Sequence, residues 1–81
     1  MRIRLVAFAT AAEALGASRL DWEAPAGSTL GELAAALAVR FPALAPRLPR
    51  LALAVDGEVA RADRRLADGC EVALLPPVSG G

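Results

Sequence analysis

Two segments near the start of the chain alternate apolar and polar residues, which is the period of a β-strand with one buried face. They are residues 2–9 and 19–24. In the first strand, the face opposite the predicted core changes from arginines to Val6 and Phe8, so we expect an apolar surface there that another molecule covers. Between the two strands, residues 10–15 are helix formers followed by a glycine, which predicts a short helix.

The strongest pattern is the apolar stripe of a longer helix, predicted over residues 29–41. Thr29 is followed three residues later by Glu32, the signature of a capping box at a helix start. Pro42 ends the stripe. Its apolar residues recur at the spacing that gathers them on one side of a helix, and they are Leu30, Leu33, Ala34, Leu37, Ala38 and Phe41.

Three further strands are predicted in the second half of the chain. Residues 51–55 and 58–59 flank Asp56-Gly57, which favours a tight hairpin turn, and residues 70–75 form the last strand. One long amphipathic helix and this order of strands predict an α+β roll, in which a mixed sheet of about five strands packs one face on the helix. The first and last strands are the most apolar, so we expect them at the centre of the sheet.

The composition limits the chain to one small domain without metal chemistry. Its 81 residues are 56% hydrophobic, which is enough for a single core. One cysteine, Cys70, and no histidine leave the usual zinc and iron–sulfur ligand sets incomplete. We therefore expect no bound metal and no internal disulfide.

The charge and hydropathy of the chain argue against nucleic-acid and membrane partners. Nine arginines balance nine acidic residues, so the positive field that draws proteins to nucleic acid or anionic lipid is absent. The apolar runs are too short to span a membrane, and the first residues lack the features of a signal peptide. A cytoplasmic protein is expected.

The last six residues, Pro76-Pro77-Val78-Ser79-Gly80-Gly81, predict an extended and flexible arm. Two prolines end a sheet ladder, because they remove two backbone donors and fix φ. Six extended residues reach about 20 Å beyond the last strand. Because glycine has no side chain, the carboxylate of Gly81 can enter a narrow channel. We therefore divide the chain into a folded domain over residues 1–75 and a C-terminal arm over residues 76–81.

The end of the chain resembles the small, sulfur-carrying subunits of molybdopterin synthase, which have the ubiquitin-like β-grasp fold. Their motif is Asp-Gly-Asp-Glu-Val, two large apolar residues and Pro-Pro-Val-Ser/Thr-Gly-Gly. Residues 68–81 contain its parts in this order, with Ala73 between Val72 and the two leucines and with Cys70 where Asp is usual. Further departures are Asp56, where Asn is common, and Ala12, where Arg is frequent. The resemblance covers the whole chain, and its other landmarks are Phe8-Ala9, Glu13 to Gly16, Thr29-Leu30 to Leu33, and Leu53 to Asp56.

The resemblance implies a sulfur carrier that partner proteins activate and use. A ubiquitin-activating-like adenylyltransferase, using ATP and Mg, would convert the carboxylate of Gly81 to an acyl adenylate, because a carboxylate is a poor electrophile without a leaving group. A sulfurtransferase or another sulfur source would then give a thiocarboxylate at Gly81, next to Gly80. In the large subunit of molybdopterin synthase, this sulfur would pass to cyclic pyranopterin monophosphate.

By the same resemblance, this chain binds no cofactor and supplies no acid or base of its own. The residues that would contact the partners are Phe8, Val59, Leu75, Pro76, Pro77, Val78 and Ser79. For Phe8, Val59 and Leu75 a purely structural role stays open, since an apolar residue of a strand can belong to the core. Cys70 could relay sulfur or could be a small buried residue at the start of a strand.

Three other functions stay open for this sequence. A related carrier could supply sulfur for thiazole synthesis or tRNA thiolation, since such proteins also end in Gly-Gly. A protein modifier of the ubiquitin type could be attached to other proteins, although the absence of lysine rules out chains linked through its own lysines. A β-grasp binding module would use the sheet alone and need no arm.

Overall fold

In the computed structural model, which describes residues 1–76, a single mixed sheet carries the long helix on one face. The five strands are β1 (Arg2–Ala7), β2 (Arg19–Glu23), β3 (Ala52–Val55), β4 (Glu58–Val59) and β5 (Glu71–Leu75). Their order is β2-β1-β5-β3-β4, with β1 and β5 parallel and the other pairs antiparallel. The helices are α1 (Ala9–Leu15) and α2 (Leu30–Arg40), and a 3-10 turn (Leu48–Arg50) precedes β3. The predicted roll is confirmed, with the first and last strands adjacent at its centre.

The helix α2 starts at the predicted capping box. The Thr29 hydroxyl oxygen accepts a hydrogen bond from the backbone N–H of Glu32 at 3.2 Å. The Glu32 carboxylate in turn accepts one from the N–H of Thr29 at 2.8 Å. The leucines of the predicted stripe are buried in one cluster with the inner face of the sheet, and they are Leu30, Leu33 and Leu37.

The inner face of the sheet supplies the other half of the core. Its fully buried side chains come mainly from the two central strands and β3, and they are Ile3, Leu5, Val55, Val72 and Leu74. Leu44 is also fully buried, although it lies in the connection after α2, which is made of turns. Leu44 anchors this connection to the core.

Several strand ends differ from the sequence prediction by one or two residues. The first strand ends at Ala7, because α1 begins at Ala9 and Phe8 is the residue before its first turn. The last strand begins at Glu71, because the N–H of Cys70 bonds to the carbonyl of Ala67 at 3.1 Å and so belongs to the preceding turn.

The polar loop before the last strand covers the start of α2. The backbone N–H of Leu30 donates to the carbonyl of Arg64, and that of Gly31 donates to the carbonyl of Ala62, both at 2.8 Å. A side chain on Gly31 would bring a Cβ within 3.0 Å of the Ala62 Cβ. The loop therefore bonds two donors of the first helical turn that have no partner within the helix.

Candidate functional site

The outer face of the sheet, opposite α2, has one end at which β1, β5, β3 and β4 contribute only apolar residues, while Arg19 of the edge strand β2 lies opposite Val6. The strand register places Val6 beside Ala73, Ala73 beside Ala54, and Ala54 beside Val59. Paired residues share a face of the sheet, so these side chains form one row across four strands. The neighbouring row adds three residues, and we call the whole surface the apolar end: Val6, Phe8, Ala52, Ala54, Val59, Ala73 and Leu75.

Phe8 belongs to the apolar end because it continues the extended backbone of β1 for one residue. Its φ of −127° and ψ of 152° keep the strand conformation, so its side chain points away from the buried Ala7. The side chain of Phe8 is 46% exposed and that of Val59 is 72% exposed, whereas Leu75 is half-buried. A contiguous apolar surface of this kind marks an interaction site.

The opposite end of the same outer face is charged, with opposite signs on neighbouring strands. Arg4 lies between Asp21 on β2 and Glu71 on β5 in the strand register. Arg2 lies opposite Glu23, and its Nε is 3.4 Å from a carboxylate oxygen of that residue. We call Arg2, Arg4, Asp21, Glu23 and Glu71 the charged end. Its residues are exposed and are suited to contact with water.

The C-terminal arm leaves the fold from the apolar end. Leu75 is the last residue of β5 and pairs with Ala52, and Pro76 follows it as an exposed residue outside the sheet. The structure therefore brings Phe8, Val59 and Leu75 onto one face, with Pro76 at its border. The other predicted residues of the arm lie outside the described part of the chain, and they are Pro77, Val78, Ser79, Gly80 and Gly81.

Cys70 lies away from the start of the arm and within the core cluster. Its residue is 4% exposed, and burial raises the pKa of its thiol above the ordinary value. Five residues of strand separate it from Leu75, which corresponds to about 17 Å. These positions confirm Cys70 as a small buried residue and give it no contact with the place where the arm begins.

Two further kinds of site are absent from the part of the chain that the structure describes. Among residues 1–76, no three His, Cys, Asp or Glu side chains come together in a way that could hold a metal ion. No helix in that part of the chain has the length and hydropathy needed to cross a membrane.

Sequence reasoning missed two arginines near the start of the arm, Arg47 and Arg50. They border an open cavity together with Thr10, Pro46 and Leu51. The spacing of the two arginines, three residues apart after a proline, was the available signal, because it places both side chains on one side of a 3-10 turn.

Residues 5–81 match the ThiS family. The chain belongs to this family. Among the relatives of this ThiS-family chain is the molybdopterin synthase sulfur carrier subunit of Chlamydomonas reinhardtii, which is 32% identical over the full length of both chains. The resemblance inferred from the end of the sequence is thereby confirmed.

Solved structures show the same fold. The crystal structure of SAMP1, a small archaeal modifier protein of Haloferax volcanii, superposes with a TM-score of 0.87 and 30% identity over all of both chains. A complex of subunits 1 and 2 of the molybdopterin-converting factor of Helicobacter pylori contains a chain that matches with a TM-score of 0.73 and 27% identity, also over all of both chains. These similarities confirm the predicted β-grasp fold.

Proposed function

We propose that this chain is the sulfur-carrier subunit of a molybdopterin synthase and that Gly81 carries the sulfur. The observation that supports this most is the similarity, 32% over the full length of both chains, to a molybdopterin synthase sulfur carrier subunit. The proposal is also supported by the position of the apolar end, which lies where the arm ending in Gly80-Gly81 begins.

The proposed reaction has two steps at the carboxylate of Gly81. A carboxylate oxygen attacks the α-phosphorus of ATP, and pyrophosphate leaves, which gives an acyl adenylate. A persulfide sulfur of a partner then displaces AMP at the acyl carbon to give an acyl disulfide. A second thiol of the partner cleaves the S–S bond and ends as a disulfide with the donor's sulfur, which leaves a thiocarboxylate on Gly81; hydrosulfide as the nucleophile would give the thiocarboxylate directly. The adenylate is needed because a free carboxylate has no adequate leaving group. ATP and Mg belong to the activating partner, a ubiquitin-activating-like adenylyltransferase.

This chain contributes docking and reach to the reaction. The apolar end contains only Ala, Val, Leu and Phe side chains, so it has no group that could transfer a proton. The acid and base groups and the pterin pocket are therefore assigned to the large subunit. An extended arm reaches about 20 Å past Leu75, which is far enough to enter the active site of another protein.

The same apolar end would serve two partners in turn. The arm starts at the border of this surface, so a protein that receives the arm also contacts Phe8 and Leu75. The complex of subunits 1 and 2 in the Helicobacter pylori factor supports the large subunit as one partner. The adenylyltransferase would bind the same surface before it, so the two complexes would exclude each other.

The proposal is tested by the intact mass of the chain after incubation with ATP, Mg, the adenylyltransferase and a sulfur source. We expect the mass to rise by the difference between a sulfur and an oxygen atom, and the product to yield molybdopterin when the large subunit and cyclic pyranopterin monophosphate are added. A chain lacking Gly80-Gly81 is the control. An unchanged mass contradicts a carrier of any kind.

The acceptor in that assay separates the proposal from a carrier for thiazole synthesis or tRNA thiolation. Those carriers would form the same thiocarboxylate but give no molybdopterin with the large subunit. Formation of the thiocarboxylate without molybdopterin would therefore favour them and contradict the molybdopterin synthase assignment.

A protein modifier is the second candidate, because a chain 30% identical to this one is a small archaeal modifier protein. A modifier would transfer the activated Gly81 to an amine of another protein. Detection of the arm by antibody in a cell lysate, before and after treatment with a reductant, distinguishes the two. Conjugates of high mass that resist reduction would favour the modifier, whereas free chain alone supports the carrier.

A further inference from the structure

A cavity with two arginines opens beside the start of the arm. It has a volume of about 450 Å³ and is bordered by Thr10, Pro46, Arg47, Arg50 and Leu51. Both arginines are exposed. None of these residues has a role in the docking surface described above.

The cavity lies near the end of β5 at which the arm begins. Leu51 directly precedes Ala52, which pairs with Leu75 at the end of β5. Thr10 lies three residues after Ala7, which pairs with Leu74. The two strands that flank β5 thus lead into the walls of the cavity, which places the cavity beside the start of the arm.

The backbone holds the two arginines on one side of a rigid turn. The N–H of Arg50 donates to the carbonyl of Arg47 at 2.9 Å, and residues three apart in a 3-10 turn eclipse one another. The N–H of Arg47 donates to the carbonyl of Leu44, also at 2.9 Å, and Leu44 is fully buried. Pro46 and Pro49 fix two further φ angles. The backbone positions of both arginines are therefore fixed before any partner arrives.

Within the described residues, neither arginine has a carboxylate within ion-pair distance. Within residues 1–76, the ion pairs join Glu23 to Arg2 and to the terminal amine, and Glu58 to Arg64. Like charges fixed on one side of a turn raise the local positive potential. This cavity is therefore suited to an anion.

We propose that Arg47 and Arg50 bind carboxylate side chains at the rim of the channel into which a partner takes the arm. This inference rests on the proposed function. A guanidinium group binds a carboxylate through two parallel hydrogen bonds, and opposite charges at an interface accelerate the encounter. A phosphate of the acyl adenylate does not fit this place, because an arm threaded into a partner carries Gly81 about 20 Å beyond Leu75.

The test compares two double variants with the same change in charge. Arg47→Gln with Arg50→Gln removes the proposed pair, whereas Arg40→Gln with Arg65→Gln removes two exposed arginines that do not border the cavity. The association rate and Kd of each are measured with the adenylyltransferase and with the large subunit over a range of salt concentrations. We expect the first variant to associate with at least one partner about tenfold more slowly at low salt. This difference should shrink at high salt, while the control keeps the wild-type rate.

Three results would overturn the inference. The first is equal association rates for the two double variants. The second is a slower association of the first variant that does not change with salt and accompanies a lower melting temperature. The third is binding of AMP or inorganic phosphate by the wild type that the first variant loses. If the wild-type chain forms the thiocarboxylate and one of these results is found, this inference alone is overturned. Wild-type chain that never forms the thiocarboxylate overturns the proposed function itself.

Discussion

The two ends of the outer sheet face share the strands β1 and β5 but differ in the neighbours that their exposed side chains have. At the charged end, cross-strand neighbours have opposite charge, as in Arg2 with Glu23 and Arg4 with Asp21. At the apolar end, Phe8 and Val59 are exposed and have only other apolar residues beside them. The charged end is therefore complete in water, whereas the apolar end gains stability only when a partner covers it.

Typical free energies of side-chain burial and of exposed ion pairs favour the apolar end as the proposed docking surface. Full burial of a Phe or Val side chain stabilises a complex by about 1.5–3 kcal/mol. An exposed ion pair contributes only about 0–1 kcal/mol. The arm begins beside the residues with the larger value, which supports the proposal that docking and delivery use the same end of the molecule.

Removal of Gly80-Gly81 should have the largest effect on activity and the smallest on docking. Without these residues the proposed reactive carboxylate is replaced by that of Ser79, whose side chain hinders a narrow channel. We expect molybdopterin formation in the reconstituted assay to fall to background, while the Kd for the large subunit stays close to that of the full chain because the apolar end is intact. Equal loss of both would show that the two regions cannot be separated.

The pair Leu74 and Leu75 compares the two faces of β5 at adjacent positions. Leu74 is fully buried on the inner face, so Leu74→Ala should lower the free energy of unfolding by about 2–5 kcal/mol. Leu75 is half-buried on the outer face, so Leu75→Ala should cost less than about 1.5 kcal/mol of stability and act mainly on binding. Urea unfolding measures the first quantity and calorimetric titration with the large subunit measures the second. A large stability loss for Leu75→Ala would place that side chain in the core.

The pair Phe8 and Arg4 compares the two ends of the outer face along one strand. Phe8→Ala should weaken binding to the large subunit by about 2 kcal/mol, or roughly thirtyfold, as expected for a buried aromatic anchor. Arg4→Ala should change it by less than about 1 kcal/mol, since its neighbours in the sheet are exposed charges. Melting temperatures of both variants control for folding. Similar Kd values for the two variants would remove the distinction between the ends.

Much of the fold could be predicted because its determinants are local. The apolar stripe and the Thr29–Glu32 capping box place α2 to within a residue, and Asp56-Gly57 places the hairpin turn between β3 and β4. Strand ends were less certain. Phe8 has strand-forming character, but the start of α1 at Ala9 ends the strand before it.

The rest depends on contacts between distant parts of the chain. No periodic pattern of apolar residues around Leu44 predicts that it is buried. Its burial arises only when the connection folds over the core. Arg47 meets Thr10 at one cavity because β3 and β1 both flank β5. Phe8, Val59 and Leu75 likewise lie on one face because of the strand order. The sequence indicated this only through the family resemblance.

The smallest expected effect concerns Cys70, at the far end of β5 from the arm. Burial raises the pKa of its thiol, so the unfolded chain loses this proton at a lower pH than the folded chain does. Stability should therefore be constant below the unfolded pKa of about 8.5 and fall as the pH rises above it, by at most about 1.4 kcal/mol per pH unit. The chain has no Lys, Tyr or His side chain that would lose a proton in the same range. Urea unfolding at several pH values should show that Cys70→Ser removes most of this alkaline decline and leaves sulfur delivery unchanged, whereas an unchanged decline would mean that the thiol is not closed off from water.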